Sequence, residues 1–147
     1  MTDVTEMVDI LTLEIGGETF AIEAVAVREI LDLVQVTEVP GARPFVGGVI
    51  NVRGRIVPLA DLRVQFGMPP TESTADTRII VLELPLDGEP TAVGILAERV
   101  HEVSQIDLAS LDPAPRLGLR WRPEFIRGVG MRGGRLLVLP DLERIFA

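Results

Sequence analysis

Residues 45–66 read FVGGVINVRGRIVPLADLRVQF, and residues 125–146 read FIRGVGMRGGRLLVLPDLERIF. With a constant offset of 80, nine of the 22 aligned positions are identical, and five others, such as Val46/Ile126 and Val57/Leu137, pair one apolar residue with another. A match of this length at a fixed spacing indicates an internal duplication. We therefore expect two structurally related units.

Each copy contains an apolar run, a turn rich in Arg and Gly, a second apolar run, and then an Asp that opens a short amphipathic segment. Two apolar runs joined by a glycine turn predict a β-hairpin. Asp61 and Asp141 stand where a side chain can accept hydrogen bonds from the first backbone N–H groups of a helix. Each copy is therefore predicted to fold as strand, turn, strand and capped helix.

The segments upstream of the two copies also repeat. DILTLEI at residues 9–15 matches RIIVLEL at residues 78–84, and each run leads through a glycine-containing turn into a second alternating run. Further along, Val27 and Glu29 match Val100 and Glu102 with an offset of 73. Alternation of this kind is typical of hairpins.

Residues 24–39 predict a short helical turn followed by a strand, because the early alanines give way to β-branched residues. Each half then has about five strands, which leaves too many edges for one flat sheet and favours two small barrels. The predicted fold is all-β with short helices, in which two barrels pack around a shared aliphatic core. We expect one domain with subdomain one at residues 9–67, a linker at 68–77 and subdomain two at 78–147.

Composition narrows the possible chemistry. Hydrophobic residues make up 47 % of the 147 residues and aromatic residues only 4 %, so the core is expected to be aliphatic. The chain has no cysteine, no lysine and one histidine, His101. These absences exclude disulfides, thiolate metal sites, cysteine nucleophiles and Schiff-base lysines. We predict no catalytic site, no metal and no cofactor.

The formal net charge is −8, but residues 116–147 alone carry 7 Arg and 3 acidic residues. An acidic protein repels a phosphate backbone, so protein partners are favoured over nucleic acid. No apolar run approaches the roughly 20 residues that span a bilayer, and the acidic N-terminus lacks the cationic start of a secretory signal. We expect a cytoplasmic protein that does not insert into a membrane.

Five segments in a fixed order carry a resemblance to a known family. They are AVAVREI (24–30), FVGGVINVRGRIVPLADLRVQFG (45–67), TRIIVLE (77–83), AVGILAERVHEV (92–103) and FIRGVGMRGGRLLVLPDLERIF (125–146). Over nearly its full length the chain resembles the CheW family of chemotaxis coupling proteins. The resemblance implies two five-stranded SH3-like barrels and no catalytic activity. It also implies an adaptor that joins chemoreceptor cytoplasmic tips to the regulatory domain of a CheA-type histidine kinase, at membrane receptor arrays.

The resemblance also implies which residues contact these partners. The positions that match the family's functional residues are Val27, Glu29, Gly48, Arg53, Gly94, Val100 and Val103. From the residues themselves we add Ile30 and Val49 as part of an apolar floor for a helical tip. Pro58 interrupts a predicted strand, which indicates a sheet edge or a bulge open to a partner.

Physical roles follow for the polar candidates. Gly54 permits a tight turn, so Arg53 is expected at the tip of the turn, where its guanidinium can form a forked bond with a carboxylate. Glu29 can pair with a partner or with an arginine of this chain. Each candidate also has a purely structural interpretation: the valines as core, and the glycines as points of close strand approach.

Three other functions were weighed. Asp61 and Asp141 occupy equivalent positions and resemble an aspartic protease dyad, although both also fit helix caps. The segment from Arg116 to Gly128 mixes arginines with Trp121 and Phe125, as nucleic-acid stacking surfaces do. A CheW-like scaffold can also belong to a surface-motility or second-messenger array, and the sequence does not distinguish these from chemotaxis.

Overall fold

The structure, a computed structural model, describes residues 6–41, 46–113 and 122–146. These ranges contain ten strands and two short helices, so the all-β prediction is confirmed. In chain order they are β1 (Met7–Ile15), β2 (Glu18–Glu23), β3 (Val27–Asp32), β4 (Val46–Val52), β5 (Arg55–Ala60), α1 (Leu62–Gln65), β6 (Arg78–Leu86), β7 (Glu89–Ala97), β8 (Arg99–Asp107), β9 (Ile126–Arg132), β10 (Arg135–Pro140) and α2 (Leu142–Phe146).

The strands form two five-stranded sheets with the same internal order. One sheet runs β8-β1-β2-β10-β9 and the other β3-β6-β7-β5-β4. Replacing each of β1–β5 by its counterpart among β6–β10 converts one order into the other. Even the parallel pairs correspond, because β2 lies beside β10 and β7 beside β5. The predicted duplication is therefore present in the fold as well as in the sequence.

The predicted boundaries of the two units are wrong, because each barrel takes strands from both sequence halves. Barrel A consists of β1, β2 and β8–β10, and barrel B consists of β3–β7. Residues 68–77 follow α1 and lead into β6, and the strands before and after them, β5 and β6, both belong to barrel B. This stretch is therefore not a linker between the barrels. The chain instead crosses between barrels after β2 and again after β7. Since the two copies present equivalent pairing edges, each hairpin can join the strands of the other copy, as in a domain swap.

In each barrel, an isolated pair of backbone hydrogen bonds joins the two edges of the sheet. In barrel B, Thr37 and Val49 exchange backbone bonds of 2.9 and 2.8 Å, and in barrel A Asp112 and Val129 do the same at 2.9 and 2.8 Å. These bridges connect the chain beyond β3 to β4 and the chain beyond β8 to β9. Both barrels are therefore nearly closed, which leaves little exposed sheet edge.

The segment between β2 and β4 follows the prediction at its start but not at its end. A single helical turn, Ala24–Ala26, precedes β3 as expected. However, β3 ends at Asp32, whereas a strand was expected to continue toward residue 39. Leu33 and Val36 beyond it are 41 % and 39 % exposed. Their β-branched neighbours favour extended backbone, but only Thr37 finds a pairing partner.

Three apolar clusters form the core. One lies inside barrel B and includes Ile50 and Ile79, and one lies inside barrel A and includes Ile10 and Leu137. The largest cluster contains residues of both sheets and is the shared aliphatic core that was predicted. The side chains of β6 alternate between the barrel interior and the shared core, because successive side chains on a strand face opposite sides of the sheet. Ile79 and Val81 face the barrel interior, while Ile80, Leu82 and Leu84 belong to the shared core.

Candidate functional site

The outer strand of barrel B carries predicted site residues along the shared core. In β3, Val27 lies opposite Leu82 of β6, and Ile30 lies opposite Ile80. Residues directly opposite each other on neighbouring strands point to the same face. Leu82 and Ile80 belong to the shared core, so Val27 and Ile30 extend that apolar face outward. Val27 is half-buried against the core, and Ile30 is 45 % exposed.

The outer strand of barrel A has the equivalent arrangement. In β8, Val100 lies opposite Leu13 of β1, and Val103 lies opposite Leu11. Leu13 and Leu11 are again members of the shared core, and Val100 packs against it. Val103 is 62 % exposed. We call Val27, Ile30, Val100 and Val103 the seam, because all four continue the apolar surface that joins the two barrels.

Arg53 and Glu29 form a forked ion pair on barrel B. The two nitrogen–oxygen distances are 2.6 and 2.9 Å. Arg53 stands in the predicted turn between β4 and β5 with φ 51°, next to Gly54 with φ 82°, and Asn51 accepts the Gly54 N–H. The Arg53 side chain is 79 % exposed, whereas Glu29 is 22 % exposed. Glu29 thus holds the arginine at the surface, two residues along β3 from Val27.

The two predicted site glycines, Gly48 and Gly94, pack against other segments of barrel B. A Cβ on Gly48 would overlap with the carbonyl oxygen of Thr37, so glycine is required where the bridge connects barrel B. A Cβ on Gly94 would lie 3.4 Å from Ile79 and 3.4 Å from Leu59, inside barrel B. Val49 is half-buried and forms the Thr37 bridge itself. The structure therefore places Gly48, Val49 and Gly94 in the barrel wall and not on the seam.

Of the two predictions for Pro58, the sheet edge is wrong, whereas a bulge-like register shift does lie next to it, between Val46 and Gly48 of β4 opposite Leu59 and Ala60. β5 is an inner strand with β7 on one side and β4 on the other. Pro58 lies opposite Val49, whose backbone groups bond to Thr37 on its far side. The parallel pairing of β5 with β7 involves Leu59 and Ala60. An inner strand accepts the proline because the ladder on either side does not require its missing N–H.

Sequence reasoning missed a buried polar cluster around Arg63, on the first turn of α1. Its guanidinium donates to both carboxylate oxygens of Asp61 at 2.9 and 2.8 Å and to the Thr71 hydroxyl and carbonyl at 2.7 and 3.0 Å. Glu98 lies 3.6 Å away and also accepts the Gly17 N–H. The Arg63 side chain is only 9 % exposed. The available signal was the break in the repeat, where Glu143 replaces the arginine.

The hydrogen bonds to Asp61 raise the pKa of the Arg63 guanidinium, burial lowers it, and the charges of Asp61 and Glu98 raise it further, with a net upward shift. A raised pKa stabilises the protonated form in the folded state. This contribution is fully present at neutral pH and would be lost only in strong alkali. Arg63 is therefore a permanent cation that joins α1, the 68–77 segment and the β1–β2 turn.

The two equivalent aspartates cap separate helices. Asp61 accepts the Arg63 backbone N–H at 3.0 Å, and Asp141 accepts that of Arg144 at 3.2 Å. Both predicted caps are confirmed. Each carboxylate also has an arginine partner on its own helix, with distances of 2.8 Å for Asp61 and 3.6 Å for Asp141. This arrangement differs from a protease dyad, in which two carboxylates share a proton.

Within the described ranges, no group of three His, Asp or Glu side chains is arranged to hold a metal ion. His101 lies 3.5 Å from Glu14. Neither of the two short helices there has the length and hydrophobicity that a bilayer-spanning helix needs.

The basic segment from Arg116 to Gly128 is only partly described, since residues 116–121 lie outside the described ranges. In the described part, the Arg122 guanidinium lies 6.0 Å from the Phe125 ring centre, and Arg127 pairs with Glu23 at 3.0 Å. These arginines contact groups of this chain. The absence of nucleic-acid binding stays a prediction.

The sequence is similar to those of known proteins. Residues 9–147 match the family model described as the CheW-like domain. The chain is 33 % identical over 139 residues to the chemotaxis protein CheW of Klebsiella aerogenes, covering 95 % of this chain and 81 % of that protein. It is 35 % identical over 115 residues to protein PilI of Pseudomonas aeruginosa, covering 78 % and 62 %.

A solved structure shows the same fold. The scaffolding protein TtCheW from Thermoanaerobacter tengcongensis superposes with a TM-score of 0.84 at 26 % identity, covering 100 % of this chain and 92 % of that one. The agreement extends to both SH3-like barrels. Because the family model covers nearly the whole chain, the protein belongs to the CheW-like domain family.

Proposed function

We infer that this protein is a non-catalytic adaptor that couples chemoreceptor cytoplasmic tips to the regulatory domain of a CheA-type histidine kinase. It would work in the cytoplasm, beside the membrane receptor arrays. Family membership supports a scaffold of chemotaxis, in line with the similarity to proteins named chemotaxis protein CheW and to a scaffolding protein. The observation that carries the proposal is the exposed seam over the shared core.

The seam suits a helical partner. Ile30 and Val103 are 45 % and 62 % exposed although each continues a buried apolar face. Large apolar side chains that remain exposed next to a core mark interaction surfaces. An amphipathic helix would bury them by laying its apolar face along the seam. No reactive group is needed for this function.

The Arg53–Glu29 pair supports binding in a defined orientation. Arg53 is held by one carboxylate but keeps most of its surface in solvent, so it can donate further hydrogen bonds to a partner. Charges at the rim of an apolar interface set orientation and association rate more than total affinity. Arg53 is therefore assigned to orientation, and the seam to affinity.

The experiment measures binding of a purified receptor-tip fragment and of a kinase regulatory domain to the wild type and to Val103→Asp by isothermal titration calorimetry. A charge in the seam should weaken receptor-tip binding at least tenfold, because an unpaired carboxylate would be buried. Val64→Asp on α1 is the matched control, since Val64 is 48 % exposed and lies on neither β3 nor β8. Equal losses in both variants would argue against the seam.

A second candidate is a scaffold of a surface-motility array, favoured by the similarity to protein PilI. Deletion of the gene in its host distinguishes a chemotaxis array from a surface-motility array. Loss of spreading in soft agar with normal surface translocation supports the chemotaxis array, and the reverse result supports the alternative.

A further inference from the structure

A groove of about 480 Å³ lies beside the β6–β7 hairpin, outside the seam. Val25, Pro85 and Pro90 form its apolar sides, Ala26 and Leu84 line it further, and Glu143 of α2 stands at its rim. Val25 is 78 % exposed, the largest exposed fraction among the exposed large apolar residues in the described ranges. We call this feature the hairpin groove.

The duplication identifies the equivalent place in the other half of the molecule. Glu143 corresponds to Arg63 with the offset of 80, while Val25 and Ala26 correspond to Glu98 and Arg99 with the offset of 73. The β6–β7 hairpin corresponds to the β1–β2 hairpin. Arg63, Glu98, Arg99 and the β1–β2 turn should therefore surround a space equivalent to the hairpin groove.

That equivalent space is filled by residues 68–76 of the chain itself, a segment that forms neither helix nor strand. The Met68 side chain lies directly over Gly16 in the β1–β2 turn. Thr71 accepts hydrogen bonds from Arg63 and donates to Glu98 at 2.5 Å. Asp76 pairs with Arg99 at 2.7 Å. The fold thus already binds a segment of this kind at this position in one of its two copies.

The hairpin beside the groove is longer than its counterpart in the other copy. The offset between the copies rises from 69 in the first strand of the hairpin to 73 in the second, so β6–β7 has four additional residues. Pro85 and Pro90 lie opposite each other in this extension, and both are exposed. Proline pairs offer apolar surface and no N–H groups, which suits a proline-containing or aliphatic ligand.

The hairpin groove and the filled space around Arg63 differ in charge. Around the hairpin groove, Arg28 pairs with Glu83 at 3.5 Å and Glu23 pairs with Arg127 at 3.0 Å. In the described part of the chain, Glu143 has no ion pair within 4.0 Å. A carboxylate thus replaces the Arg63 cation that holds Thr71. A ligand that complements this groove needs a basic residue at the position of Thr71.

We propose that the hairpin groove binds an extended, proline-containing segment of a partner protein that directs a basic side chain to Glu143. The inference rests on the internal equivalence and on charge complementarity, and it does not depend on the proposed function. The groove and the seam are separate surfaces. The protein would therefore have a docking site for a third contact.

The test uses two acetylated and amidated peptides derived from residues 66–73, FGMPPRQS and the acidic FGMPPEQS, titrated into the full ¹⁵N-labelled chain. FGMPPRQS should bind with a dissociation constant on the order of 0.1 mM, as expected for a short peptide with little buried area. Amide shifts should change at Val25, Gly88 and Glu143. FGMPPEQS should bind about fivefold more weakly, the scale of one exposed ion pair.

The variant Glu143→Arg should reverse this preference, so that FGMPPEQS becomes the better ligand. Glu6→Arg is the matched control, since Glu6 is exposed, lies beside Asp107 of barrel A and does not line the groove. It should leave both affinities unchanged. Circular dichroism melting curves confirm that both variants fold. Receptor-tip binding should be unaffected by Glu143→Arg, which separates this test from that of the seam.

Three results would overturn the proposal. One is the absence of saturable binding of FGMPPRQS up to 1 mM, and another is binding that Glu143→Arg does not change. The third is a sedimentation coefficient of the free protein that falls in Glu143→Arg, because this would show that a second copy of the chain occupies the groove.

Discussion

Barrels A and B have the same strand order and the same bridging bonds, yet their corresponding corners differ. At the β4–β5 turn of barrel B, Arg53 pairs with Glu29, whereas Gly133 occupies the equivalent turn of barrel A and leaves Glu102 without that partner. At the helices, α1 carries the buried Arg63, and α2 carries the exposed Glu143. The copies share the packing of the fold and the capping aspartates, but they differ in the polar side chains at these two corners.

This contrast separates positions that both barrels need from positions that have a role in one copy only, whether in stability or in binding. Glycines 48 and 128 are preserved in both copies because both lie next to the segment that connects the barrel edges. Arg53 and Arg63 occur in one copy only, so the fold itself does not require them. A position that differs between two otherwise equivalent sites is therefore a candidate for a specific role. The following predictions test that distinction.

The largest expected effect is on α1. Arg63→Met should lower the free energy of unfolding by about 3 kcal/mol, because it leaves Asp61 without its buried partner. Arg144→Met on α2 should cost less than about 0.5 kcal/mol, since that arginine is 67 % exposed and 3.6 Å from Asp141. Urea denaturation followed by circular dichroism measures both. Equal losses of unfolding free energy in the two variants would show that the Arg63 cluster stabilises the protein no more than an exposed ion pair does.

The next effect compares the two bridging glycines. Gly48→Ala should destabilise the protein by about 2 to 3 kcal/mol, because the added methyl group overlaps with the rigid backbone oxygen of Thr37. Gly128→Ala should cost less, about 1 to 2 kcal/mol, since its closest approach, 2.8 Å to the Leu111 Cβ, is a milder overlap than that with the Thr37 oxygen. Thermal and urea unfolding of the two variants measures the difference. A costlier Gly128→Ala would contradict this account of barrel B.

The smallest effect on stability is expected at Arg53, in the turn between β4 and β5. Arg53→Ala should change the free energy of unfolding by less than about 1 kcal/mol, because the ion pair is exposed. It should nevertheless weaken partner binding about tenfold if the guanidinium donates to a carbonyl or carboxylate of the partner. Titration calorimetry with the receptor-tip fragment and the kinase domain measures this. Arg135→Ala on barrel A is the control, and unchanged affinity in Arg53→Ala would remove Arg53 from the interface.

Much of the fold was predictable from local patterns. Alternation in β1 and β6, the glycine turn at Arg53 and the caps Asp61 and Asp141 each depend on neighbouring residues alone, so local physics determines them. The seam residues were named from a resemblance, and their role stays a prediction. Pro58 was misplaced because the position of a strand within a sheet depends on distant partners.

The sequence alone determined the duplication, the aliphatic core, the turns and the caps. The turns and caps follow from neighbouring residues, the duplication from a match at a constant offset of 80, and the aliphatic core from composition. Only the tertiary structure decided that the hairpins exchange between halves, since equivalent copies offer equivalent edges and the sequence pattern is the same for either pairing. It also decided that Arg63 is buried and Glu143 exposed. Burial of a charge depends on what packs around it, here Thr71 from the irregular segment after α1 and Glu98 from the distant junction of β7 and β8. No local pattern contains that information.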